Sequence, residues 1–132
     1  MGKNDKLICI AHYNTDLNKI INADFSSFGI YRSKGLLEHL KKRNHFVAVQ
    51  YIDYLPDIIN NPDYAGVYNG NIELVKIYKN NIFISIKLDN KKGHYYVATA
   101  FEVKQSKIDS YVRSGRLHVV NKKLQYTIDN NT

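Results

Sequence analysis

The run at residues 82–88 constrains this chain most. Ile82, Ile84, Ile86 and Leu88 alternate with Phe83, Ser85 and Lys87. A period of two is the signature of a strand, and a single apolar face means a sheet with one covered face. Similar runs flank it at 73–78 and 95–103, and the connections at 79–81 and 89–94 suit hairpins. An antiparallel meander is therefore expected. In its last strand Tyr95, Val97, Thr99, Phe101 and Val103 are expected to share one face.

The first half reads differently. Residues 7–13 form a short apolar run, expected as a buried strand that carries Cys9. Residues 14–22 suit a turn or short helix with Leu17, Ile20 and Ile21 inward, and 28–31 suit a short strand. Residues 33–45 then read as a basic helix, with Ser33 as N-cap and Asn44 as stop. At about 100° per residue, Leu36, Leu37 and Leu40 make a narrow apolar stripe. His39 falls at the edge of that stripe and Arg43 one turn further on, while Glu38 and Lys42 face water. Pro56 suits the first turn of a helix that Asn60-Asn61-Pro62 ends. Residues 63–66 are expected as a turn, with Asp57 and Asp63 as caps or turn formers rather than acids. Residues 105–113 read as a short helix stopped by Gly115, 116–120 as an edge strand, and the polar tail begins at about 121. The expected fold is α+β: N-terminal helices packed on a four-stranded or slightly larger antiparallel sheet, in a single domain over 1–132.

The formal net charge is +7, which suits a polyanionic partner, most simply nucleic acid. The abundance of Lys, Asn, Ile and Tyr also fits A/T-rich codons, so charge alone does not decide function. No apolar run approaches membrane-spanning length, and the charged N-terminus lacks the apolar stretch of a signal peptide. Cys9 is the single cysteine, which excludes an internal disulfide and suits a reducing cytoplasm.

No CxxC pair, HExxH, P-loop, dinucleotide fingerprint or serine-hydrolase elbow is present. The five histidines, His12, His39, His45, His94 and His118, show no metal-ligand spacing, and no cofactor is implied. The remaining parts suit phosphodiester cleavage in RNA without a metal. Histidine serves either proton role near neutral pH, and Arg or Lys stabilises the charged phosphorane. Taken alone, a histidine at the edge of an apolar face is most often a satisfied boundary residue. A threonine in a strand is most often a strand former.

Six segments, taken in order, carry a resemblance: the helix at 35–45 (Gly-Leu-Leu-Glu-His-Leu-Lys-Lys-Arg-Asn-His), Ile-Asp-Tyr-Leu-Pro-Asp-Ile-Ile-Asn-Asn-Pro-Asp-Tyr-Ala-Gly at 52–66, Glu-Leu-Val-Lys at 73–76, Ile-Ser-Ile-Lys-Leu at 84–88, Tyr-Tyr-Val-Ala-Thr-Ala-Phe at 95–101 and the basic stretch at 107–117. Together they resemble a phage-associated family of the barnase–EndoU–colicin–RelE-like nuclease superfamily, over roughly 31–117. The resemblance implies one or two N-terminal helices on a four-stranded antiparallel sheet, and a toxin-like endoribonuclease acting without a metal. It also implies a helix histidine and a late-strand Ser or Thr at the active site, matching His39 and Thr99, with His45 as a second histidine. Arg43 and Arg113 would stabilise charge. Lys34, Lys76, Arg113 and Arg116 are expected to bind the substrate, and Lys87 is a further natural phosphate contact. RNA and an inhibitor or antitoxin protein are the expected partners, with no membrane. The alternative is a non-catalytic nucleic-acid-binding or protein-interaction domain on the same fold.

Overall fold

The alternating run forms β5 (Asn81–Asp89), and it lies at the centre of a seven-stranded sheet. In the computed structural model, residues 6–89 and 91–121 are described. Before β5 come β1 (Leu7–His12), α1 (Leu17–Ile21), β2 (Gly29–Ser33), α2 (Leu36–Lys42), α3 (Phe46–Val49), a 3-10 turn (Ile52–Tyr54), α4 (Leu55–Asn60), β3 (Tyr64–Tyr68) and β4 (Asn71–Ile77). After it come β6 (His94–Glu102), α5 (Gln105–Arg113) and β7 (Leu117–Val119). The strand order is β1-β2-β6-β5-β4-β3-β7. All neighbours are antiparallel except β2 and β6, which run parallel over Ile30↔Tyr95 and Tyr31↔Tyr96. Among the described residues, no helix is long and apolar enough to cross a membrane.

The expected meander is present, but the four-stranded sheet behind N-terminal helices is not. A strand comes first, and β1 and β2 extend the sheet beyond β6 while β7 extends it beyond β3. Residues 63–66 are not a turn. Tyr64, Ala65 and Gly66 lie buried in β3, and the turn comes later, at Asn69-Gly70. Both turn residues have positive φ, 52° and 79°, as a two-residue hairpin of the kind that matches strand twist requires. Ile20 is exposed rather than inward, and Cys9 is exposed on β1. Ser33 ends β2, and α2 begins behind Gly35 instead. The polar tail lies outside the described residues, which end at Asn121.

Two cores cover the two faces unequally. The larger joins α1, α2, α3 and α4 to Ile72, Leu74, Ile82, Ile84, Ile86, Tyr95, Val97 and Ala100. The three isoleucines of β5 have no exposed surface, and each such burial is worth about 1.5–3 kcal/mol. The smaller core packs Ile108 of α5 against Tyr64, Val75, Phe83, Val103 and Leu117. It covers only one end of the second face.

Two local constraints carry testable consequences. An added Cβ on Gly66 would lie 1.9 Å from the Arg116 carbonyl oxygen, so only glycine lets β7 lie against β3. Gly66→Ala is expected to cost about 2–3 kcal/mol in urea unfolding. Tyr78 donates its phenol to Asp57 Oδ2 at 2.5 Å, and Asn61 donates to Oδ1 at 3.1 Å. These bonds hold the Asp57 carboxyl below its usual range, and burial together with Asp57 pushes the Tyr78 phenol up. A carboxyl with a lowered folded pKa stabilises the fold above the unfolded value, and that contribution fades as pH falls through the lowered one. Tyr78→Phe should therefore cost about 0.5 kcal/mol at neutral pH, and less in acid. Thermal melts across pH would check this.

Candidate active site

α2 is placed by its leucines. Leu36 and Leu40 enter the larger core, at 3% and 0% exposure. His39 then falls off the edge of the stripe, half-buried, and Arg43 follows one turn on, with its N–H bonded to the His39 carbonyl. The helix end fixes the next group. Asn44 takes a left-handed φ of 61°. Its N–H reaches Lys41 O at 3.0 Å, while the His45 N–H reaches Leu40 O at 2.9 Å. This pair of bonds is a Schellman motif with Asn at the left-handed position, and it turns His45 back beside the same end of α2. Here the expected stop at Asn44 is present. The His45 ring lies 5.6 Å from Phe101, which stacks on Phe83 at 4.7 Å.

The strands supply the floor. On β5, Phe83, Ser85 and Lys87 point away from the larger core. On β6 the expected single face is broken. Ile86 pairs with Val97 but Ser85 pairs with Thr99, so Ala98 is an extra, bulged residue. Tyr95 and Val97 therefore lie in the larger core, while Thr99 and Phe101 lie on the opposite face beside Ser85 and Phe83. A strict alternation would have buried Thr99 among the isoleucines.

His39, Arg43, His45, Ser85, Lys87, Ala98, Thr99 and Phe101 line one cavity of about 480 Å³. All four expected catalytic candidates, His39, Arg43, His45 and Thr99, thus meet there, with Lys87. Sequence reasoning missed Ser85 and the bulge; the signal for Ser85 was its place opposite the apolar set of β5. A second cavity of about 620 Å³ adjoins the first through His39, Lys87 and Ala98. The lining of the first cavity contains no carboxylate. Among the described residues, no group of three or more His, Cys, Asp or Glu could hold a metal ion.

The expected substrate-binding residues do not gather there. Arg116 makes two bonds of 2.7 Å to the carboxylate of buried Glu73, with its guanidinium 3.7 Å from the Tyr68 ring centroid and 4.1 Å from that of Tyr111. The Glu73 bonds push its pKa up further. Lys76 pairs with Asp63 at 3.8 Å. Arg113 is exposed at the end of α5, and Lys34 is exposed just after Ser33; neither lines the first cavity.

A family model described as phage-Barnase-EndoU-ColicinE5/D-RelE like nuclease3 matches residues 9–110. No curated protein and no solved structure matches the chain.

The two kinds of cation separate experimentally. Removing Arg116 strands the Glu73 carboxylate in the sheet, so Arg116→Met should cost about 3 kcal/mol. Lys87→Ala, at an exposed position, should stay within about 0.5 kcal/mol of wild type in the same urea titration.

Proposed function

Because the chain belongs to this phage-associated nuclease family, we propose that it is an endoribonuclease that cuts RNA without a metal, through attack of a 2′-hydroxyl on the adjacent phosphodiester. The observation that carries this reading is the meeting of two imidazoles, a guanidinium, an ammonium and two hydroxyls in one cavity.

One imidazole, of His39 or His45, takes the 2′-hydroxyl proton as the 2′-oxygen bonds to phosphorus. Arg43 and Lys87 stabilise the charge of the five-coordinate phosphorane, and the hydroxyls of Thr99 and Ser85 donate hydrogen bonds to its oxygens. The other imidazole protonates the departing 5′-oxygen. The products are a 2′,3′-cyclic phosphate and a 5′-hydroxyl. Histidine suits both roles because its ordinary titration range spans neutrality. A lining without carboxylates supports this chemistry in two ways. It sets no like charge against the phosphate, and it offers none of the carboxylates by which Mg²⁺ is usually held. An inhibitor protein for such an enzyme would cover this opening with acidic side chains.

The test is incubation of the protein with total cellular RNA in excess chelator. New fragments with 2′,3′-cyclic phosphate ends are expected. His39→Ala and His45→Ala should each slow their appearance about a hundred- to ten-thousandfold. RNA affinity should stay nearly unchanged in both variants. Intact RNA beside a folded wild-type protein would end the proposal.

A further inference from the structure

The second cavity, unlike the first, contains an acid. Ser33, Leu36, His39, Lys87, Asp89, Lys92, His94 and Tyr96 are among its lining residues, and Asp89 is the one carboxylate lining either cavity. We propose that this cavity is the subsite for a single nucleobase bearing an exocyclic amine, with the Asp89 carboxylate as acceptor and the Tyr96 ring as stacking surface. The inference rests on the first cavity holding an RNA phosphate, and it names what lies beside that phosphate.

Lys87 and Asp89 lie two residues apart on the same face of β5, opposite Tyr96 and His94 of β6. That step is about 6.8 Å along a strand. A phosphate held at His39 and Lys87 therefore stays clear of the carboxylate, while the attached nucleoside extends towards it. A carboxylate beside a polyanion repels unless it meets a hydrogen-bond donor. The amine of cytosine, adenine or guanine is such a donor, and Asp is a geometrically suited acceptor for cytosine N4. Uracil offers a carbonyl at the same place.

Asp89 is also held for the purpose. Its Oδ1 accepts the backbone N–H groups of Lys91 and Lys92 at 3.1 and 3.2 Å. Among the described residues Oδ2 accepts none. His94 is engaged by the Tyr31 ring at 4.8 Å, whereas the Tyr96 ring pairs with no other described aromatic. Lys92 adds a cation to the lining for a neighbouring phosphate.

Deoxycytidine and deoxyuridine tetramers test this directly. They lack the 2′-hydroxyl, so the proposed route cannot consume them, and they differ at the base edge that Asp89 would meet. Wild-type protein at neutral pH and low salt should bind the deoxycytidine tetramer about tenfold more tightly. Asp89→Asn should bring that ratio close to one, because the amide oxygen still caps the 89–92 turn but the charged acceptor is gone. Tyr96→Ala should weaken both tetramers alike. Equal wild-type affinities, or a ratio that survives Asp89→Asn, overturn the subsite. If RNA is cut but the ratio ignores Asp89, the subsite alone falls. If the Asp89-dependent ratio is found and RNA stays intact, cleavage falls and the base subsite stands.

Discussion

Between the pairs Ile86↔Val97 and Ser85↔Thr99 the β5–β6 ladder slips by one residue, leaving Ala98 without an opposite number. Below the slip, Tyr95 and Val97 enter the larger core; above it, Ala100 does so and Thr99 turns outward. A strand of unbroken alternation offers one apolar face along its whole length. This strand serves the same core with residues of both parities, and so frees a hydroxyl and an aromatic ring on the other side. Bulges commonly re-aim a side chain next to a site. Here the bulged residue itself lines both cavities, so the change of face and the opening between the cavities coincide.

The outer edge of β6 makes this useful. β2 pairs with it only at Tyr95 and Tyr96, then the chain leaves the sheet and enters α2. α2 and α3 lie along the rest of that edge, their core-facing residues in the larger core. A helix beside a strand edge has one side in the core and the next side over the open sheet face. That position converts the narrow leucine stripe into a fixed orientation for His39 and Arg43. The left-handed Asn44 then returns His45 to the same place. Two histidines six residues apart thus reach one cavity without either sitting on a long loop.

Much of this was legible and some was not. Of the expected stripe of Leu36, Leu37 and Leu40, the first and last enter the larger core and Leu37 does not; the boundary position of His39 and the stop at Asn44 follow from helical periodicity and local cap chemistry, which act over a few residues. The face of Thr99 did not follow, since a bulge depends on the partner strand and leaves no period of its own. β3 was missed although Asn69-Gly70 is a strong hairpin signal. The apolar stretch before that signal is short, and its Gly66 reads as a turn residue until the close approach of Arg116 is seen. The parallel pairing of β2 with β6 joins segments more than sixty residues apart, a distance over which pattern carries no information. The family match implied a nuclease but not these placements.

The charge of the chain was ambiguous as a sum and becomes informative as a distribution. Arg116, Lys76 and Lys41 each sit against an acid, Glu73, Asp63 and Glu38 respectively. The first two acids are buried, at 4% exposure each, so their cations complete the fold rather than await a ligand. Arg43 and Lys87 make no ion pair among the described residues, and they line a cavity that has no carboxylate. Codon bias inflates lysine without regard to place, whereas a cation-rich, acid-free lining beside two imidazoles is a matter of place. An average surface charge steers a polyanion towards the molecule. Only the local arrangement can hold one phosphate where a proton can be moved on either side of it. The positions of these few side chains therefore bear on function more directly than the net charge.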